Sequence, residues 1–349
     1  MQNNTLTLLL PGLLTDRFLP ALKTLAMPHL SFLLSRATKQ PLAPAFSLDE
    51  EQTMQKAMME YQLCKVAGLD KPYPYAPIAA LGEGLARAHE YWLFATPVQF
   101  NAGLHEVMVT GEDLQLSQQE AQDIATELNA FLEADGLCLY VTEAAHWYLR
   151  VSNRTPPEFP TWWSAIAKPL AIKHYQAIED RYWLRLSVEL QLLLTRCAFN
   201  QQRLAENRPT ISGLWMWGGG VLPVLSDFNY QQIIANHPLA EGLALLAGVP
   251  YMPLPENAEQ FVDNVAVNNH LMAIDTLQLP WFREDKANWC EQAALLDTQW
   301  FLPLLRALEQ GALHTLVLQL DQHYRFVVTR GYLQRWWRRG KSIDKFLVG

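Results

Sequence analysis

Residues 212–220 read Ser-Gly-Leu-Trp-Met-Trp-Gly-Gly-Gly. A stiff apolar run carrying two tryptophans stops on three glycines. Alternation along a strand puts Trp215 and Trp217 on one face and Leu214 and Met216 on the other. Glycines at such a place serve a phosphate cradle, the rim of a metal site, or a packed turn where backbones approach closely. The flanking residues speak against a dinucleotide site. "GGGVLP" departs from G-x-G-x-x-G, and Pro223 blocks an immediate helix.

Working outward, apolar strands alternate with helical patterns. Residues 5–10, "TLTLLL", form a buried strand that ends at Pro11-Gly12, and 27–37 a helix opening at Pro28. Polar helical spacing covers 49–67, and 78–92 reads as another helix after a proline-rich loop. Between 96 and 155 the pattern changes to strand, helix, strand, strand, with strands near 104–111, 137–141 and 146–152. Ser117 and Glu120 make an S-x-x-E capping box. Ala121, Ile124, Ala125, Leu128, Phe131 and Leu132 then share one helical stripe. "TPPEFPTWW" (155–163) marks a boundary. Helical patterns follow near 180–200, 237–248 and 285–309, and strands at 263–274, 313–320 and 324–329. The expectation is an α/β fold, with a mostly parallel sheet covered by helices on both faces and a small inserted α+β domain. The core takes 1–95 and 196–349, the insertion 96–155, and a helical connection 156–195.

The chain has 349 residues, half of them apolar and 18% charged, with net charge −8. That is globular composition, and it does not attract nucleic acid in bulk. No apolar run approaches the length of a membrane span, and the N-terminus lacks the charged start of a signal peptide. Cys64, Cys138, Cys197 and Cys290 form no CxxC pair, which fits reduced thiols in a cytoplasmic protein rather than a zinc site. "GKS" at 340–342 lacks the glycine that a phosphate loop needs five residues earlier, where Arg335 stands. Residues 330–349 hold six cations and one carboxylate, a net +5 on a chain of net −8, which leaves −13 elsewhere. With Trp336 and Trp337 among the arginines, this tail is either a contact surface or a helix packed on the domain.

These segments resemble the archaeal-type cofactor-independent phosphoglycerate mutases of the alkaline phosphatase superfamily, and more closely their bacterial RpfE-type regulatory relatives. "NRPTISGLWMWGGG" is similar to a family stretch ending in W-x-W-G-x-G, and Asn200 and Arg203 match its preceding N-x-x-R. "YPYAPIAALGEGL" (73–85) resembles R-G-P-l-E-A-l-G-x-G-i, with Tyr75 and Ala79 where the family has arginine and glutamate. The capped helix and "AAHWYLRV" fall where the family carries its inserted domain. The resemblance implies an alkaline phosphatase-like core, two metal ions and a serine that accepts the phosphoryl group. Such transfer needs cations to neutralise developing charge and an activated nucleophile.

The implied site is depleted here. Pro11-Gly12 stands where the first strand supplies an aspartate. Counting back from "AGLD" (67–70) places the nucleophile's position near Met59, a thioether, with Glu60 beside it; Ser47 and Thr53 are off register. Against the family's H-V-K-x-P-D-E-A-G-H, His270 and Asp275 stay in register and Leu279 replaces the later histidine. The next D-H pair reads Asp321-Gln322, with His323 one residue late and so on the other face of a strand. Asp275 and Asp321 remain as residual metal ligands. The cleft is then expected to gather Trp217, Gly218, Gly219, Gly220, Asn200, Arg203, His270 and His323, with the glycines at the carboxyl edge of the sheet. The resulting expectation is an inactive mutase-like protein that needs no cofactor and acts by binding or regulation. Its ligand would be a protein partner or a small phosphorylated molecule. The alternative is an active phosphohydrolase or mutase using manganese or magnesium on relocated ligands, including Asp16.

Overall fold

The computed structural model describes residues 4–42, 58–102, 106–110, 114–167, 170–171, 180–264, 268–321, 323–335 and 337–347. The chain divides into two compact units, one of residues 1–69 with 225–349 and one of residues 70–224. Strands are numbered in chain order.

The first unit is built on seven strands: β1 (Thr5–Leu9), β2 (Thr38–Pro41), β9 (Gln232–Ile234), β10 (Tyr251–Met252), β11 (Asn269–Ala273), β12 (Thr315–Gln319) and β13 (Tyr324–Thr329). Their order is β10-β9-β11-β1-β12-β13-β2. The first five are mutually parallel, and β13 and β2 close the sheet antiparallel. A central strand in such a sheet is covered on both sides, so it reads as a continuous apolar run rather than an alternating one. The "TLTLLL" run does so, with Leu6, Leu8, Leu9 and Leu10 all buried. This is the mostly parallel α/β sheet that the alternation of segments implied, and the strands expected at 313–320 and 324–329 pair antiparallel as β12 and β13.

Helix Pro28–Arg36 has proline in its first turn and no side-chain cap from its own flank. Buried Asp297 supplies one from afar, accepting from the backbone N–H groups of His29 (3.3 Å) and Leu30 (2.8 Å). Asp297 opens a π turn, Asp297–Phe301, between helices Lys286–Leu296 and Leu302–Gln310. The helix expected over 285–309 is therefore interrupted, just ahead of Pro303, which has no N–H to give. The strand expected over 263–274 also divides, into helix Ala258–Asn264 and the shorter β11.

The second unit holds β3 (Tyr91–Ala102), β4 (Glu106–Thr110), β5 (Leu137–Glu143), β6 (His146–Val151), β7 (Leu170–Ala171) and β8 (Gly213–Gly220). All pairings are antiparallel, in the order β5-β6-β3-β4-β7 with β8 on β3. Helix Gln118–Leu132 carries the capping box, with Ser117 accepting from the Glu120 N–H, and buries Ala121, Ile124, Ala125, Leu128 and Leu132. The helix expected over 78–92 is Tyr75–Gly82. Gly84, at φ +75°, ends it, and β3 starts at Tyr91. Segment 96–155 lies inside this unit, as do the helix Arg181–Arg196 and the glycine strand.

Candidate functional site

In an open parallel sheet, the crevice beyond the carboxyl ends of the strands is where ligands bind. Leu9 pairs with Ala273 on one side and Gln319 on the other. The ladder runs one step further, through Ile274 N–H to Leu9 O and Leu10 N–H to Gln319 O, both 3.0 Å. Two residues past those strand ends stand Pro11, Asp275 and Asp321. The two surviving acids thus flank a proline. With β1 between them, their strands are about 10 Å apart.

Helix Met59–Val66 begins at the same edge. Met59 is fully buried, and its N–H donates to the Gln278 Oε1. Gln62 Oε1 accepts from the Gln319 side chain at the end of β12. Amide groups thus tie the helix start to the strand ends. His237, three residues past β9, caps helix Pro238–Ala247 by accepting the Leu239 N–H at Nδ1 (3.2 Å). Its Nε2 lies 3.8 Å from the Glu60 Oε1. Burial pushes the Asp275 carboxyl above its usual range, opposed chiefly by His237 and reinforced by Glu60. Asp321 is likewise pushed up by burial. Its Oδ1 accepts from the N–H groups of Tyr324 and His323, both 2.7 Å, as a turn carboxylate does.

A two-metal site needs several donors closing on each ion within about 2.0–2.6 Å. Among the described residues no three His, Cys, Asp or Glu side chains are grouped so as to hold a metal ion. The described donors at this edge do not fit the pair of ions that the resemblance implies. Glu60 and His237 were not expected next to Asp275. They come from segments far apart in the chain, and the one local signal is His237 standing before Pro238 at a helix start.

The remaining expected residues disperse. His270 is fully buried near the amino end of β11, bonded through Nδ1 to Gln232 (2.9 Å) and edge-on to Phe261. Five residues of strand, about 16 Å, separate it from Asp275. His323 follows Asp321 in the turn before β13, while Gln322, like Ser47 and Thr53, lies outside the described residues. Asp16 is exposed, past the turn after β1. Asn200, Arg203, Trp217 and Gly218–Gly220 all belong to the second unit.

There, the glycines are not a turn at the carboxyl edge of the parallel sheet but the end of antiparallel β8. Trp92 pairs with Gly220 and Phe94 with Trp217, so three steps of β8 face two of β3. The extra residue is accommodated by Gly218 at φ +64°, a bulge that favours glycine. A Cβ on Gly218 would meet Phe94 and Tyr75 at 3.1 Å, and one on Gly220 would meet the Pro74 Cβ at 2.7 Å. Trp217 stacks on Phe94 at 4.5 Å and donates to Thr96 Oγ1 at 3.0 Å. Of the three possibilities for this run, the structure shows close packing. Asn200 is structural too. Its side chain donates to Leu194 O and Ile211 O (both 2.6 Å) and accepts the Ile211 N–H (2.9 Å), fixing the entry to β8.

In the first unit the C-terminal segment lies along the carboxyl end of helix Pro28–Arg36. Arg335 donates to Arg36 O (3.1 Å) and Arg338 to Ala37 O (2.6 Å), so two cations meet the orphan carbonyls. Ser31 Oγ donates to Lys341 O at 2.6 Å, and Ile343 is buried. All four cysteines are free thiols. No described helix is long and apolar enough to cross a membrane.

No protein-family model and no curated protein matches the sequence. Among solved structures, the PH0037 protein from Pyrococcus horikoshii aligns at 13% identity with a TM-score of 0.57, covering 94% of this chain and 88% of that one. A cofactor-independent phosphoglycerate mutase from Thermoplasma acidophilum aligns at 15% identity with a TM-score of 0.44, over 98% and 94% of the two chains. With PH0037 the chain shares its fold.

Proposed function

We propose that this chain is a cytoplasmic, phosphoglycerate mutase-like protein that has given up phosphoryl transfer and acts by binding, in the manner of a regulatory protein. The mutase likeness rests on the order of sequence motifs, from the proline-rich "YPYAPIAALGEGL" through N-x-x-R to the W-x-W-G-x-G strand. The observation that carries the loss of chemistry is the start of helix Met59–Val66. There a buried thioether stands at the position implied for the nucleophile, and the Gln278 side chain takes up its N–H. Pro11 between Asp275 and Asp321 supports the same reading, because a proline offers no side-chain ligand. Three carboxylates at one edge, Glu60, Asp275 and Asp321, also disfavour a phosphorylated ligand unless cations offset them. A protein partner is therefore the better-supported class of ligand.

The test is direct. The purified chain is assayed for phosphoglycerate mutase and for general phosphatase activity with manganese or magnesium present. The expected result is no turnover above the uncatalysed background. Turnover above about 1 per second, within the ordinary range of enzymes, overturns the reading in favour of a metal-dependent phosphohydrolase.

A further inference from the structure

The basic C-terminal segment, once packed, does not spend all its charge on the fold. Arg335 and Arg338 cap the helix Pro28–Arg36. Lys39 and Arg325, on neighbouring strands β2 and β13, extend the same charge. Lys39 Nζ sits 3.7 Å over the Tyr324 ring and 3.5 Å from Phe346 O, and Arg325 donates to Gln40 at 2.8 Å. Arg339, Lys341 and Lys345 are exposed beside them. Among the described residues, Asp344 is the one carboxylate within ion-pair reach of this group, 3.7 Å from Lys345. Trp337, in the turn between Arg335 and Arg338, is 65% exposed. Cations fixed on a rigid frame lose less freedom on binding than cations on a loose tail.

We propose that this face docks on an anionic lipid surface, with Trp337 entering the headgroup layer. Phosphate groups are the shared chemistry of a lipid surface and a nucleic acid, and two observations favour the lipid. Single-stranded nucleic acid is held by a series of open aromatic faces. Among the described residues here, Lys39 covers one face of Tyr324 and Arg335 lies 3.4 Å over Tyr332, and Trp337 is the large aromatic left exposed. A lipid surface asks for less, namely several Lys or Arg near the phosphates and an aromatic at the interface. The rest of the chain, at −13, repels a long polyanion that extends past the patch. The inference is independent of the silent carboxyl edge: measured turnover would overturn the proposed function and leave this face as it is.

The experiment is co-sedimentation of the full chain with vesicles of phosphatidylcholine alone or with about one-third phosphatidylglycerol, at about 0.1 M salt. Binding is expected only to the anionic vesicles, falling steeply as salt rises and the Debye length shortens. The variant R339E/K341E keeps both capping arginines, so it should stay folded, as its thermal unfolding will verify. Each cation lost should lower partitioning about fivefold, and W337A should weaken it further. Equal binding to neutral vesicles, no binding to anionic ones, or an unchanged R339E/K341E would overturn the proposal. So would capture by a single-stranded RNA homopolymer at the same salt with no vesicle binding, which would give the face to nucleic acid.

Discussion

Arg203 lies wholly buried with its Nη1 2.9 Å from Glu120 Oε1. The pair joins the helix Ala198–Ala205 to the capping box of helix Gln118–Leu132, 83 residues earlier in the chain. The same guanidinium donates to Pro209 O at 2.7 Å and to Leu114 O. Truncating the buried arginine leaves the carbonyls that it satisfied without a donor and costs about 1–3 kcal/mol. R203A is therefore expected to lower stability by about that much in denaturant titration, and R203K to recover only part, because lysine lacks the planar fork.

Acid stability tests the same contact. Partial burial alone would raise the Glu120 carboxyl, but hydrogen bonds from Arg208, Ser117 and Arg203 outweigh it and hold it down to about 2. A carboxylate depressed in the folded state contributes fully above its unfolded value. That contribution is lost as pH falls from there towards the folded value. The wild-type chain should lose stability between about pH 4.5 and 2 through this group. E120Q should show a flatter profile across that window, and an identical profile would remove Glu120 from the account.

Gln278 closes the start of helix Met59–Val66. Q278A leaves the buried Met59 N–H without that acceptor, at about 1–3 kcal/mol. Amide exchange at Met59 and Glu60 should quicken more than exchange in β1. Uniform quickening would mean that the bond merely reports global stability.

Gly218 is the residue that lets β8 take its extra step. Alanine there is strained by its positive φ, at about 1–3 kcal/mol, and crowds Phe94 and Tyr75. G218A should lower the melting temperature, and G220A should do so through the Pro74 contact alone. Tolerance of G218A without loss would mean that β8 can re-register.

The C-terminal segment is also a structural clasp. A chain ended at Thr329 loses the two arginines on the Arg36 and Ala37 carbonyls and the cover that Ile343 and Phe346 give. It should be less stable by about 3 kcal/mol or more. A truncated chain as stable as the full one would show that the segment only rests on the surface.

Much of the architecture was legible because it is written in local periodicity. The Ser117 box, the Pro28 helix start, the apolar β1 run and the neighbouring β12 and β13 strands each carry their signal in a short local stretch. The glycine strand misled because nothing in "SGLWMWGGG" says which sheet will accept it. Its partner, β3, begins in a segment whose alanines and glycines read as helix. The carboxyl edge was half legible. Asp275, Asp321, Pro11 and Met59 could be placed through the family resemblance, whereas Glu60, His237 and Gln278 meet only through the parallel topology. Arg203 and Asn200 matched a motif, yet their environment, buried among carbonyls, is a tertiary fact.

The proline seated between Asp275 and Asp321 has an evolutionary corollary. Replacing it with an acid would set a third carboxyl beside two that burial already pushes above their usual range, a change costly by itself. Gaining a hydroxyl at Met59 is equally idle on its own. On the proposed reading, a return to phosphoryl transfer would demand several substitutions together, none rewarded singly, so descendants of this chain would be held on their present course by a ratchet of individually unprofitable steps.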